Sequence, residues 1–243
     1  MKKTRLLSFL FLSLVMATSC SEEGIDIEVY DPQHVVFIHG LDNEGNIFID
    51  QDLIDAFGVE NIHWGHTPPN LEGISFKIKG MDYVTCIRYI FNIDPTQPPI
   101  QSHADPPTYD GSFNYHHFYH HTENIASHKL KTIDTHGDTY IREEDTVYII
   151  GNEKDLCFTA YYEEEIKEEG SGRPTNAILI SGTLVYDDKG NFLGINNYRI
   201  GKKILSFKER PTPNAQGVIQ SYAEGTIEVK THLGMAPAEE WDQ

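Results

Sequence analysis

The sequence predicts an all-β protein, built as an antiparallel lipocalin-like barrel or a two-sheet sandwich, with one short N-terminal helix. Three observations carry that prediction. Apolar residues recur at alternate positions in segment after segment, the period of a half-buried strand. Clusters of Gly, Pro, Asn and Asp punctuate those segments. Helical spacing with end signals is confined to Asp50–Phe57. About eight to ten short strands joined by turns fit a barrel or a sandwich. Closure into a barrel is preferred, because it leaves no strand edge unpaired.

Taken in order, the chain begins with a targeting pattern. Lys2, Lys3 and Arg5 precede an apolar run of eleven residues, Leu6–Met16. A spanning helix needs roughly 20 apolar residues, so the run fits the core of a secretory signal. Ala17-Thr18-Ser19 then leads into Cys20. Small residues before a cysteine resemble the lipobox of bacterial lipoproteins, with Ala17 where a larger aliphatic residue is usual. Residues 1–19 are therefore expected to be removed, and Cys20 to carry lipid such as palmitate. Several acyl chains on one residue anchor stably, each buried methylene contributing about 0.8 kcal/mol. Ser21-Glu22-Glu23 resembles the export tag of Bacteroidota surface lipoproteins. The expected location is the outer membrane, lipid-anchored and facing the cell surface.

Residues 20–63 read as a tether and N-terminal segment. Ile25, Ile27 and Val29 alternate with acids, His34–Gly40 is apolar and β-branched, and Ile47–Ile49 follows a turn. Asp50 can cap a helix in which Leu53, Ile54 and Phe57 share a face, and Gly58 can end it. Residues 64–243 read as the β-rich domain. Strands are expected at Ile74–Ile78, Tyr83–Phe91, Ser112–His121, Ile125–Ile133, Thr146–Ile150, Leu156–Tyr162, Asn176–Tyr186, Phe192–Ile200, Ile204–Phe207 and within Val218–Val229. The proline-rich stretch Asn92–Gly111 reads as a long loop, and the glutamate-rich stretch Glu163–Gly172 as a solvated one.

The formal charge is −18, and loss of residues 1–19 with their three cations makes it about −21. Such an excess of carboxylates repels phosphate backbones and argues against nucleic acid. His34–Gly40 ends in His-Gly, as in the oxyanion segment of α/β-hydrolases, but the Gly-x-Ser-x-Gly elbow those enzymes need is absent from the sequence. Cys86 and Cys157 are an even pair in an oxidising compartment, so a disulfide between them is a candidate; free buried thiols are the alternative. The stretch SFNYHHFYHH, Ser112–His121, would put Phe113, Tyr115, His117, Tyr119 and His121 on one strand face and Asn114, His116, Phe118 and His120 on the other. His117 and His121, joined by His128 from a neighbouring strand, are the candidate metal ligands. No fixed ligand spacing supports them, so neither a metal nor another cofactor is expected.

Four segments, TPPNLEG, VYIIGNEKDLCFTAYY, AILISGTL and GINNYRIGKKIL, are similar to a group of uncharacterised Bacteroidota surface lipoproteins. The matching positions are Pro68, Pro69, Glu72 and Gly73; Gly151, Phe158, Thr159 and Tyr161; Ile180, Ser181, Gly182 and Thr183; and Gly194, Ile195 and Asn197. The resemblance covers roughly two thirds of the mature chain. It implies a β-rich fold at the cell surface and brings no activity with it. The expectation is a non-catalytic lipoprotein that is tied to the membrane by its lipid and binds an extracellular ligand or envelope protein through its loops or barrel mouth. A structural subunit of an envelope complex is the alternative, and a His-dependent metal protein or enzyme is a third.

Overall fold

A computed structural model describes residues 30–31, 35–38, 47–166, 172–215, 217–219 and 221–241. Cys20, the Ser21-Glu22-Glu23 tag and the strand expected at Ile25–Val29 lie outside the described residues. Three short strands come first, β1 (Tyr30–Asp31), β2 (Val35–Ile38) and β3 (Ile47–Asp50), paired antiparallel in that order. Helix α1 (Gln51–Phe57) follows directly. Its Asp50 cap accepts from the Leu53 amide at 3.2 Å, and Gly58 closes it with φ +87°. Among the described residues no helix is long and apolar enough to cross a membrane.

The body is a closed barrel. After β4 (His66–Thr67), its staves are β5 (Ser75–Ile87), β8 (Tyr109–Thr122), β9 (Ile125–Ile133), β10 (Thr139–Asn152), β11 (Cys157–Glu165), β12 (Pro174–Tyr186), β13 (Phe192–Phe207) and β14 (Ile227–Thr231). Between the first two staves, β6 (Tyr89–Ile90) and β7 (Ile100–Gln101) form a two-stranded ribbon, and β15 (Ala236–Pro237) follows the last stave. Each stave pairs antiparallel with the next in sequence, and β14 returns to β5. The ring is thus an up-and-down barrel, the closed alternative of the two predicted.

Several expected strands fuse. β5 joins most of the strand expected at Ile74–Ile78 to the Tyr83–Ile87 part of the one expected at Tyr83–Phe91, with a kink at Gly80 where the register to β8 slips, and Tyr89–Ile90 separates as β6. Gly80 has φ +71°, and a Cβ there would overlap the Tyr109 hydroxyl, so glycine is required. Phe192–Ile200 and Ile204–Phe207 are likewise one strand, β13. In the proline-rich stretch, Ile100–Gln101 is extended and Tyr109 already begins β8.

The two ends of the barrel differ. At one end the turns are tight: Glu123-Asn124, Glu153–Leu156 and Asp187–Asn191. The chain crosses this end before β5, and Leu71 drops in with Phe76, Phe118, Phe158, Ile149 and Ala236, all fully buried. The chain is pinned here on both sides, β4 on β10 and β15 on β13. At the other end three of the four connections are longer, among them the 88–108 and 208–226 segments.

A second apolar layer lies outside the wall. Leu53, Ile54 and Phe57 of α1 pack with Ile49 and Ile62 against Ile150, Tyr161, Ala177, Leu179, Ile227 and Val229. Residues 49–62 thus pack onto the outside of the barrel wall. Gly201 lets the helix approach; a Cβ there would sit 2.8 Å from Phe57. Lys203, beside it on the outer face, holds Asp50 at 2.6 Å and Asp52 at 2.7 Å.

Candidate functional site at the open end of the barrel

The lumen changes character along its length. Below the apolar plug sits a layer of buried polar rings. His116 Nδ1 lies 3.0 Å from His128 Nε2, and the Tyr198 hydroxyl lies 3.1 Å from His116 Nε2. Phe76 stacks on His116 with centroids 4.7 Å apart, and Phe118 on His128 at 4.5 Å. Burial in this apolar sleeve favours the neutral rings. It lowers His128 from 6.5 to about 3 and drives His116 well below its ordinary value, with smaller contributions from His117 at His128 and from His128 at His116. The Tyr198 and Tyr162 phenols are pushed up by the same burial.

Beyond this layer the lumen opens into a cavity of about 270 Å³. Met81, Leu130, Ile178 and Ile200 supply its apolar lining. The rest is charged or polar, because inward positions of β8, β10, β11, β13 and β14 carry Asp110, Arg142, Glu164, Lys202, Glu228 and Lys230. Each of these carboxylates has a cation. Asp110 takes Lys230 at 2.6 Å, Glu228 takes Arg88 at 2.8 Å, and Glu164 takes Arg142 and the Asn176 amide, each at 3.3 Å. Burial pushes Asp110 up and Lys230 down, but the pairing outweighs it: Asp110 is lowered and Lys230 raised.

Lys202 is different. It lines the cavity, yet its ammonium has no ion pair or hydrogen bond among the described residues. Burial, then the Arg142 charge and to a lesser extent that of Lys230, lower its pKa, and Glu164 and Glu228 only partly oppose this. Asn114 is 7% exposed and lines the same cavity. Its Oδ1 accepts from the Thr132 hydroxyl at 2.9 Å, and its Nδ2 has no partner. An unmet buried donor costs about 1–3 kcal/mol.

The residues singled out from sequence fall elsewhere. The face assignment of the histidine-rich strand holds through Phe118, where a bulge shifts the register. His117 is on the outside of the wall, 2.7 Å from Ser75 Oγ and stacked on Trp241. His128 is inside the lumen. His121 sits at the plugged rim, its Nδ1 accepting from the Leu71 amide at 2.9 Å. The structure does not bring these three together, and among the described residues no group of three His, Cys, Asp or Glu side chains could hold a metal ion. Cys86 and Cys157 are also apart. Cys86 is near the open end, 4.0 Å from Glu228, and Cys157 is at the plugged end, 4.0 Å from the Asn152 carbonyl; both thiols are free. The glutamate stretch read as a solvated loop begins inside β11, where the Glu164 side chain is 3% exposed.

Sequence reasoning missed Lys202, Asn114, Arg142 and Glu164 as site residues. A signal was present for two of them. Tyr198, Ile200 and Ile204 share a parity with Lys202, and Tyr162 and Ile166 share one with Glu164. In each strand the charge interrupts an otherwise apolar parity.

Comparison of the chain with protein families, with curated proteins and with solved structures finds no match.

Proposed function

We propose that this protein is a lipid-anchored lipoprotein of the outer membrane surface that binds a small ligand in the open end of its barrel without converting it. The observation that supports the reading is the cavity itself. It is closed below by the His116–His128 layer and lined by both apolar residues and fixed charges. A small number of placed polar groups in a largely preformed hollow is the usual plan of a small-molecule site. Its volume is just under the roughly 300–1,000 Å³ typical of sites for drug-sized ligands. The occupant is therefore a small metabolite and not a long lipid. The lipobox at Cys20, the tag after it and the resemblance to Bacteroidota surface lipoproteins support the location.

The test uses full-length protein extracted from native membranes in detergent. Thermal unfolding is followed in the presence of a broad library of small polar and amphipathic metabolites, in parallel with a Leu130→Trp variant whose cavity is filled. Compounds that stabilise the wild type and leave the filled variant unchanged are expected. A library without stabilising compounds, or equal stabilisation of both proteins, overturns the reading. Mass spectrometry of the same preparation is expected to find acyl chains on Cys20 at the mature N-terminus.

A further inference from the structure

The reading above leaves open which ligands the cavity takes, and its charge arrangement narrows the choice. Pairing Asp110 with Lys230, Glu164 with Arg142 and Glu228 with Arg88 accounts for every carboxylate lining the cavity. What remains is one solitary ammonium, Lys202, and one amide donor without an acceptor, Asn114 Nδ2. Arg142 spends one N–H contact on Glu164, at a long 3.3 Å, and a guanidinium carries five N–H donors. The lining cation without an ion pair and the buried lining atom without a hydrogen bond both call for an acceptor. A cationic ligand would meet Lys202 and paired acids only, and a neutral one would leave Lys202 uncompensated in the wall of a barrel, where an unpaired charge is costly. An anion answers both needs.

The apolar part of the lining sets the rest of the ligand. Met81, Leu130, Ile178 and Ile200 offer hydrocarbon, not hydrogen bonds. A fully hydrated anion such as phosphate would have to shed water against that lining without compensation.

Resting on the reading of the barrel as a small-ligand binder, we infer that the cavity is a site for small amphipathic carboxylates. The carboxylate is held between Lys202, Asn114 and Arg142, and a short apolar body lies against Leu130, Ile178 and Ile200. Charge-assisted hydrogen bonds from Lys202 and Arg142 are the strong contacts, roughly twice a neutral one. This anion site lies inside a protein whose overall charge is −18. Long-range attraction therefore does not bring the ligand in, and selectivity rests on the lumen.

Isothermal titration of the full-length protein with hexanoate and benzoate, and with hexanamide, benzamide and inorganic phosphate as counter-probes, tests this. Both carboxylates are expected to bind, and each at least tenfold more tightly than its amide. Lys202→Met keeps the length of the side chain and removes the charge. It is expected to weaken carboxylate binding at least tenfold while raising the thermal midpoint, because the unpaired ammonium is gone. Asn114→Asp, which places a carboxylate beside the anion, is expected to abolish binding. A merely structural role for Lys202 would lower stability and leave the preference for acid over amide intact. Equal binding of acids and amides, phosphate binding in their place, or Lys202→Met within twofold of wild type overturns the carboxylate assignment and leaves the lumen-binding reading standing. Failure of every compound in both this panel and the metabolite library removes the two together.

Discussion

The buried His116–His128 pair makes the stability of this barrel depend on pH in a direction the structure fixes. Burial lowers His128 from 6.5 to about 3, so the folded state refuses a proton that the unfolded chain accepts below pH 6.5. Stability from this source is complete above the unfolded value and is lost as pH falls from about 6.5 towards 3. Between pH 7 and pH 4.5 the loss from His128 alone is about 2–3 kcal/mol, at 1.36 kcal/mol per unit. His116 shifts in the same direction and adds to it. The total is a substantial fraction of the roughly 5–15 kcal/mol by which a domain is stable. Acidification also titrates carboxylates and relieves the self-repulsion of a chain at −18, so the pair must be isolated by difference. Urea unfolding is measured from pH 7 to pH 4.5 for the wild type and for a triple variant, His116→Phe, His128→Leu and Tyr198→Phe, which replaces the whole hydrogen-bonded chain with hydrocarbon. Replacing all partners together leaves no orphaned donor. The wild-type curve is expected to fall below that of the variant by at least about 2 kcal/mol more at pH 4.5 than at pH 7. Parallel curves would refute the assignment of buried, neutral rings.

Four further outcomes follow from the packing. Gly201→Ala drives a methyl to 2.8 Å from the Phe57 ring and is expected to cost about 1–3 kcal/mol in urea unfolding; a neutral result would mean that α1 does not seat as described. Phe158→Ala, at the centre of the plug and fully buried, is expected to cost about 3–5 kcal/mol. Asp50→Ala removes both the helix cap and a partner of the nearly buried Lys203, so its loss should exceed about 1 kcal/mol. Asp52, 74% exposed, should cost less than that when changed to Ala, and the reverse order would contradict the geometry. Alkylation of the denatured, unreduced protein should label both Cys86 and Cys157; a product unlabelled at both would mean that they are bridged.

Much of the fold was legible because the strands obey local rules. Ile74, Phe76 and Ile78 alternate with polar residues, and the first half of β5 is found with that face inward. Helix α1 was readable from cap to closing glycine, since Asp50, the Leu53–Ile54–Phe57 face and Gly58 are all local signals. The site was harder, because two rules of thumb fail in this barrel. Ile227 and Val229 look like the buried face of β14, and they are buried, but under α1 on the outside. Their neighbours Glu228 and Lys230, which look solvated, point into the lumen. A strand covered on both faces hides which parity is inside until the helix partner is known. The bulge after Phe118 moved His121 to the other face, and no residue type in HHFYHH marks a bulge. Two cysteines on different strands carry no distance information at all.

Closing the ring has a kinetic consequence. The seam joins Ile87 to Ile227 and is tied by Arg88 to Glu228, so the first and last staves meet across 140 residues of chain. Every other ladder between staves can form between sequence neighbours as they emerge. The seam cannot, and contacts of such long range slow folding to the millisecond-to-second regime or beyond. A polypeptide emerging from its N-terminus onward would therefore stay an unsealed, pliable sheet until its final strand is free, and the charged cavity would exist only after that last zip.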